Sequence, residues 1–88
     1  MLYVVVYDVA EDEVRDRIRE LLKNWGGLRV QYSAFHLEVE EAQLIQLLQI
    51  VERLIEGCDA QVTAIPVCRG DVEKTVFLGS RFKEEVVF

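Results

Sequence analysis

The chain has 88 residues, about half of them hydrophobic and 30% charged, and carries a net charge of −6. That is one domain with a single core, large enough to bury roughly two thirds of the surface its unfolded chain exposes. The balance excludes a disordered chain, a membrane span of roughly 20 apolar residues and a generally basic nucleic-acid binder, and without a secretory leader the expected location is the cytoplasm.

Leu2 to Val9 is apolar and β-branched, which predicts a strand with both faces covered. From Asp12, the expected N-cap, Val14, Ile18, Leu21, Leu22 and Trp25 recur at helical spacing until Gly26-Gly27 stops the helix. Leu28 to Val39 reads as one bent strand or two short ones. On one side stand Gln31, Ser33, Phe35, Leu37 and Val39, on the other Val30, Tyr32, Ala34 and His36. A second helix is expected from about Glu40 to Glu56, burying Leu44, Leu47, Leu48, Val51, Leu54 and Ile55 and closing at Gly57. Gln61 to Val67 and Thr75 to Leu78 read as further strands around a turn at Arg69-Gly70-Asp71, and the tail Glu84 to Phe88 is strand-like.

Strands interleaved with two helices of similar length predict an α+β ferredoxin-like sandwich over residues 1–88, an antiparallel sheet with both helices on one face. Its other face then needs a cover, because β-branched residues occupy both sides of the first strand. A second copy stacked sheet to sheet is the economical solution, with residues 84–88 as an exchanged edge strand.

Cys58 and Cys68, widely spaced and accompanied by one histidine, write neither a disulfide framework nor a zinc site, and are expected to be buried small hydrophobes. His36 is given no role. Asp8 is the residue that asks for an explanation, since it places a carboxylate where the apolar first strand meets solvent. Residues 1–35 hold five basic side chains, Arg15, Arg17, Arg19, Lys23 and Arg29, against six acidic ones, so the acidic excess belongs to the second half. At about 100° per residue, Arg15, Arg19 and Lys23 form a stripe on one flank of the first helix and Arg17 lies on the other. As ordinary surface residues they would pair with Asp12, Asp16 and Glu20 for a few tenths of a kcal/mol each. Tyr7, Tyr32 and Phe35 are read as packing residues, the tyrosine hydroxyls reaching the edge.

Tyr7-Asp8 after the first strand, an arginine-bearing helix and the stretch Arg29-Val30-Gln31-Tyr32-Ser33-Ala34-Phe35 resemble the small CRISPR-associated proteins of the Cas2 family, partners of the Cas1 integrase. Ile65-Pro66-Val67-Cys68 and Phe77-Leu78-Gly79 extend the likeness over nearly the whole chain. One departure stands out: His36-Leu37-Glu38 replaces the family's acidic residue, Gly and Asp.

The resemblance implies a ferredoxin-like homodimer acting in spacer acquisition, with a metal-dependent endonuclease activity on single-stranded RNA or double-stranded DNA described for many members. It implies Asp8 as catalytic residue and metal ligand. Arg15, Arg17, Arg19, Arg29, Ser33 and Phe35 become the residues expected to meet nucleic acid. The cofactor so implied is Mg2+, or Mn2+ in its place.

One carboxylate per chain is a thin ligand set, but two copies facing each other across a two-fold axis would bring two. At about 5 Å and an effective dielectric near 20 they repel by roughly 3 kcal/mol, which a shared divalent ion relieves. No histidine or lysine stands beside Asp8 in the sequence to act as general base. Three functions therefore stay open: a metal-dependent endonuclease, a non-catalytic DNA-binding scaffold dimer, and a toxin-like ribonuclease of the same fold.

Overall fold

Alternation along the first strand decides the architecture. In the computed structural model, which describes residues 1–79, β1 spans Leu2–Val9. Tyr3, Val5, Tyr7 and Val9 are buried, whereas Val4 is half-buried and Val6 and Asp8 are exposed. Successive side chains of a strand point to opposite faces, so the first set faces the core and the second a bare surface.

Helix α1 (Asp12–Asn24) follows after two residues, with Glu11 rather than Asp12 at the cap position; Asp12 and Glu13 sit in the first turn, where the dipole favours acids. Ile18 and Leu22 are buried, and Val14, Leu21 and Trp25 pack around them. Gly26 ends the helix at φ +87°, a conformation costly for other residues, its N–H bonding the Lys23 carbonyl at 3.0 Å. Gly27 is required for a different reason. A Cβ there would stand 2.8 Å from the Leu22 carbonyl oxygen and 3.1 Å from the Phe35 ring.

The segment after the glycines is two strands, β2 (Leu28–Gln31) and β3 (Ala34–Glu38), joined by Tyr32 and Ser33. The reversal changes the expected sides. Arg29 pairs with Phe35 and Gln31 with Ala34 across a register shift, so Arg29, not Gln31, shares a face with Phe35. β3 continues straight through His36-Leu37-Glu38, paired to Val4, Tyr3 and Leu2.

Helix α2 (Glu41–Leu54) begins at a capping box, in which the Glu40 backbone N–H donates to the Gln43 side chain at 3.0 Å, and buries Leu44, Leu47 and Val51. β4 (Ala60–Val67) then pairs antiparallel with all of β1, from Leu2 opposite Val67 to Val9 opposite Ala60. The sheet order is β2-β3-β1-β4, entirely antiparallel, as the ferredoxin-like reading requires. Buried residues of both helices join one cluster with Tyr3, Val5, Tyr7, Val9, Phe35 and Leu37, which places both helices on one face.

Beyond β4 the structure departs from expectation. Arg69–Glu73 is a short helix, α3, not a turn. Thr75–Leu78 forms no strand, because its start is wrapped onto that helix: Thr75 donates its N–H to Val72 and its hydroxyl to Asp71, leaving Val76 and Leu78 exposed. The strand-like tail at 84–88 lies outside the described residues. Neither cysteine is in the core. Cys58 is half-buried near Glu11, and Cys68 is exposed at the start of α3, its thiol 2.8 Å from an Asp71 carboxylate oxygen.

Candidate functional site

Tyr7 and Asp8 are neighbours in sequence and point to opposite sides of the sheet. Asp8 is exposed on the face turned away from α1 and α2, opposite Gln61 of β4. Tyr7 is buried beneath the helices, its ring stacked on Phe35 with centroids 6.3 Å apart. The Tyr7 N–H bonds the Ser33 carbonyl at 3.0 Å, which ties the β2–β3 turn to the end of β1.

Around the Tyr7 hydroxyl the helix-side residues converge. The hydroxyl donates to the Tyr32 carbonyl at 3.3 Å, and the same oxygen accepts from Arg29 Nη2 at 2.9 Å. Burial pushes the Tyr7 pKa up, while the positive charges of Arg29, Arg19 and Arg15 pull the other way. The phenol therefore stays protonated and serves as a donor. Arg29 of β2 and Arg15 and Arg19 of α1 thus all act on the Tyr7 hydroxyl, against the carboxylate of Asp16, in a chain whose net charge is negative.

The helix arginines are held by local partners. Arg15 reaches the Val9 carbonyl at 3.4 Å and pairs with Asp12, and Arg19 pairs with Asp16 at 3.2 Å. Such exposed i,i+3 pairs contribute about 0.2–1 kcal/mol, so a phosphate can displace them. Arg17 is exposed and makes no ion pair among the described residues, in keeping with its place on the opposite flank.

Phe35 is 0% exposed, so it has no face to offer a base; its place is the core, between Tyr7 and the close approach at Gly27. Ser33 is half-buried in the turn, and its carbonyl is what engages β1. Tyr32 is the reverse case: expected to pack, it is 66% exposed with the Arg29 guanidinium 4.9 Å above its ring. Reading residues 28–39 as a hairpin would have put Tyr32 at the tip and revealed it. Its backbone carbonyl, as the acceptor for both Tyr7 and Arg29, has no sequence signal.

Asp8 stands apart from this group, across the sheet from it. Among the described residues no three His, Cys, Asp or Glu side chains converge as a metal site. Among the same residues no helix is long and apolar enough to cross a membrane.

A four-stranded antiparallel sheet of this order beneath two helices, with an acid at the end of the first strand and arginines gathered at its other side, defines a small ferredoxin-like α+β protein. Within that class the chain belongs to the Cas2 family: the model for CRISPR associated protein Cas2 matches residues 1–75. A Pyrobaculum aerophilum relative, named CRISPR-associated endoribonuclease Cas2 2, is 34% identical over 79 residues, which cover 90% of this chain and 87% of that one. The crystal structure of Streptococcus pyogenes Cas2 at pH 6.5 superposes with a TM-score of 0.72 at 26% identity, over 90% of this chain and 100% of that one. A Thermoproteus tenax protein, named CRISPR-associated endonuclease Cas1/endonuclease Cas2 fusion, is 26% identical over 81 residues, 92% of this chain and 31% of the fusion.

Proposed function

We propose that this chain is a subunit of CRISPR adaptation: a two-fold dimer in the cytoplasm that works with the Cas1 integrase and grips double-stranded DNA by its phosphates during spacer acquisition. The observation that carries the reading is that Arg15, Arg19 and Arg29, from two elements, all lie near enough to act on Tyr7 in a chain of net negative charge, the first two held only by exposed i,i+3 partners. Guanidinium groups pair well with phosphate, and such contacts position a duplex without reading its sequence. Arg17, on the other flank of α1, extends the cationic surface sideways. The Thermoproteus tenax fusion, which names Cas1 and Cas2 in one protein, supports the partnership. The bare sheet face, where Val6 is 39% and Ile65 45% exposed, supports the second copy that would cover it.

A metal-dependent endonuclease is the second reading, favoured by the exposed Asp8 and by the relatives named endoribonucleases. In it, the Asp8 carboxylates of two copies hold one Mg2+ or Mn2+ whose remaining ligands are mostly water. Such an ion, when bound, offsets phosphate charge and lowers the pKa of its water. The chain's own part is to fix each Asp8 at the end of a strand paired to β4.

Titration of a DNA duplex at increasing salt tests the first reading. Affinity should fall steeply, and replacing Arg15, Arg19 and Arg29 by Ala should flatten the slope by about 0.9 per phosphate contact removed; a wild-type affinity indifferent to salt would overturn it. Asp8→Asn separates the two readings. Spacer acquisition with cleavage lost fits a scaffold, and loss of both makes the nuclease essential.

A further inference from the structure

Resting on the metal reading above, we propose that Gln61 is the second protein oxygen donor of a divalent-cation site at Asp8, its side-chain carbonyl standing beside the Asp8 carboxylate. Register places the two together. Asp8 is directly opposite Gln61, and both are exposed on the face turned away from α1 and α2. The ladder between them can be read from its end: the Ala10 N–H bonds the Asp59 carbonyl at 3.0 Å, and every second pair back along β1 is bonded in the same way. Asp8 and Gln61 are such a pair, with Cα atoms about 5.5 Å and Cβ atoms about 5 Å apart. Polar side chains also collect at this end of the face. Gln61 and Thr63 on β4 accompany Asp8, whereas the pairs further along are Val4 with Ile65 and Leu2 with Val67.

The donor chemistry fits a hard cation. Mg2+ and Mn2+ take carboxylate and carbonyl oxygens, and Mg2+ keeps several waters while one or two protein groups hold it. Neighbouring ligand oxygens around such an ion, each about 2.1 Å from it, lie about 3 Å apart, a separation within reach of a short Asp and a longer Gln on adjacent strands. Neither side chain is committed elsewhere: among the described residues, Asp8 and Gln61 make no side-chain hydrogen bond or ion pair. Arg15 and Arg19 do not compete for the carboxylate, since they hold Asp12 and Asp16 instead. As a neutral donor, Gln61 adds an oxygen without the repulsion that a second acid so close to Asp8 would bring.

The test adds Mn2+ alone to the full chain and follows the electron paramagnetic resonance signal of the free ion. Wild type should bind and Asp8→Asn should not. Gln61→Met, close to glutamine in shape but without the oxygen, should weaken affinity about tenfold. Gln61→Glu, which restores an oxygen at the same reach, should bind at least as tightly as wild type, and Thr63→Val should be unchanged; circular dichroism checks that every variant folds. Wild-type affinity in Gln61→Met would overturn the role of Gln61, as would a loss that Gln61→Glu fails to restore. An equal loss in Thr63→Val would do so too, because the effect would then follow the polarity of the face and not a ligand. A shift of Gln61→Met to a smaller species in sedimentation would make Gln61 a packing residue between copies and likewise overturn the proposal. If Asp8→Asn binds Mn2+ as wild type does, the metal reading itself falls; if Asp8→Asn alone loses the ion, only the part given to Gln61 falls.

Discussion

The two faces of the sheet are made from the same few strands and have opposite chemistry. On the helix side, Tyr3, Val5, Tyr7, Phe35 and Leu37 are buried against Ile18, Leu22, Leu47 and Val51. On the bare side, Leu2 and Val4 give way to Val6 and Asp8, next to Ala34 and His36 on β3 and to Thr63 and Ile65 on β4. The helix face is closed along β1 and β3, whereas the other is open to solvent at Val6, Asp8 and Ile65 although Leu2, Ala34 and His36 on it are buried. The contrast teaches that alternate residues of one strand answer to different surroundings, so a substitution can damage one face while sparing the other.

The sharpest way to break the contrast is on the closed face. Phe35→Ala removes a ring with no exposed surface and leaves a cavity under Tyr7 and Gly27; urea or thermal unfolding should show a loss of about 3–5 kcal/mol. On the bare face, Val6→Asp should cost the folded chain only about 1 kcal/mol, because Val6 is already 39% exposed. The same change should shift sedimentation from dimer to monomer, since two carboxylates would be driven into a dry contact. A dimer that survives Val6→Asp would move the contact between copies elsewhere.

The smallest effect is one of pH. His36 is buried on the side of Val4 and Leu28, and desolvation holds its pKa below the ordinary value of 6.5. Below 6.5, down to the depressed folded value, the unfolded chain binds more protons than the folded one. Stability is therefore complete above about pH 7 and declines as the solution is acidified through that window. Melting curves between pH 7 and 5 should show the decline, and His36→Asn should lack that part of it.

Much of this was legible in the residues. The continuous apolar run gave β1 its bounds, and 3.6-residue spacing gave α1 and α2, because both elements bury a regular set of side chains. Gly26 and Gly27 located the end of α1 correctly. The hairpin at Tyr32–Ser33 was harder to see, since neither residue is a strong turn former and the flanking apolar residues alternate straight through it. Thr75–Leu78 misled for a related reason: β-branched composition speaks of preference, whereas a strand also needs a partner edge, and hydrogen bonds to α3 intervene. At the site, sequence named Asp8, Arg15, Arg19 and Arg29 but could not tell that a one-residue step separates the acid from the arginines by the thickness of a sheet. The residue pattern packed both Phe35 and Tyr32, and the resemblance alone offered Phe35 to nucleic acid; Phe35 is covered and Tyr32 is not, because the reversal between them decides which is buried.

The pairing of β1 is uneven along its length. β3 accompanies it only as far as Val6, whereas β4 continues to Val9. The last three residues thus hang from a neighbour on one side, steadied on the other by the Ser33 carbonyl and by the Arg15 grip on the Val9 carbonyl. If Arg15 meets a phosphate as proposed, that grip is released. Occupancy of the cationic end and stiffness of the strand tip bearing Asp8 are in this way drawn from one shared side chain, a mechanical link between opposite sides of the molecule.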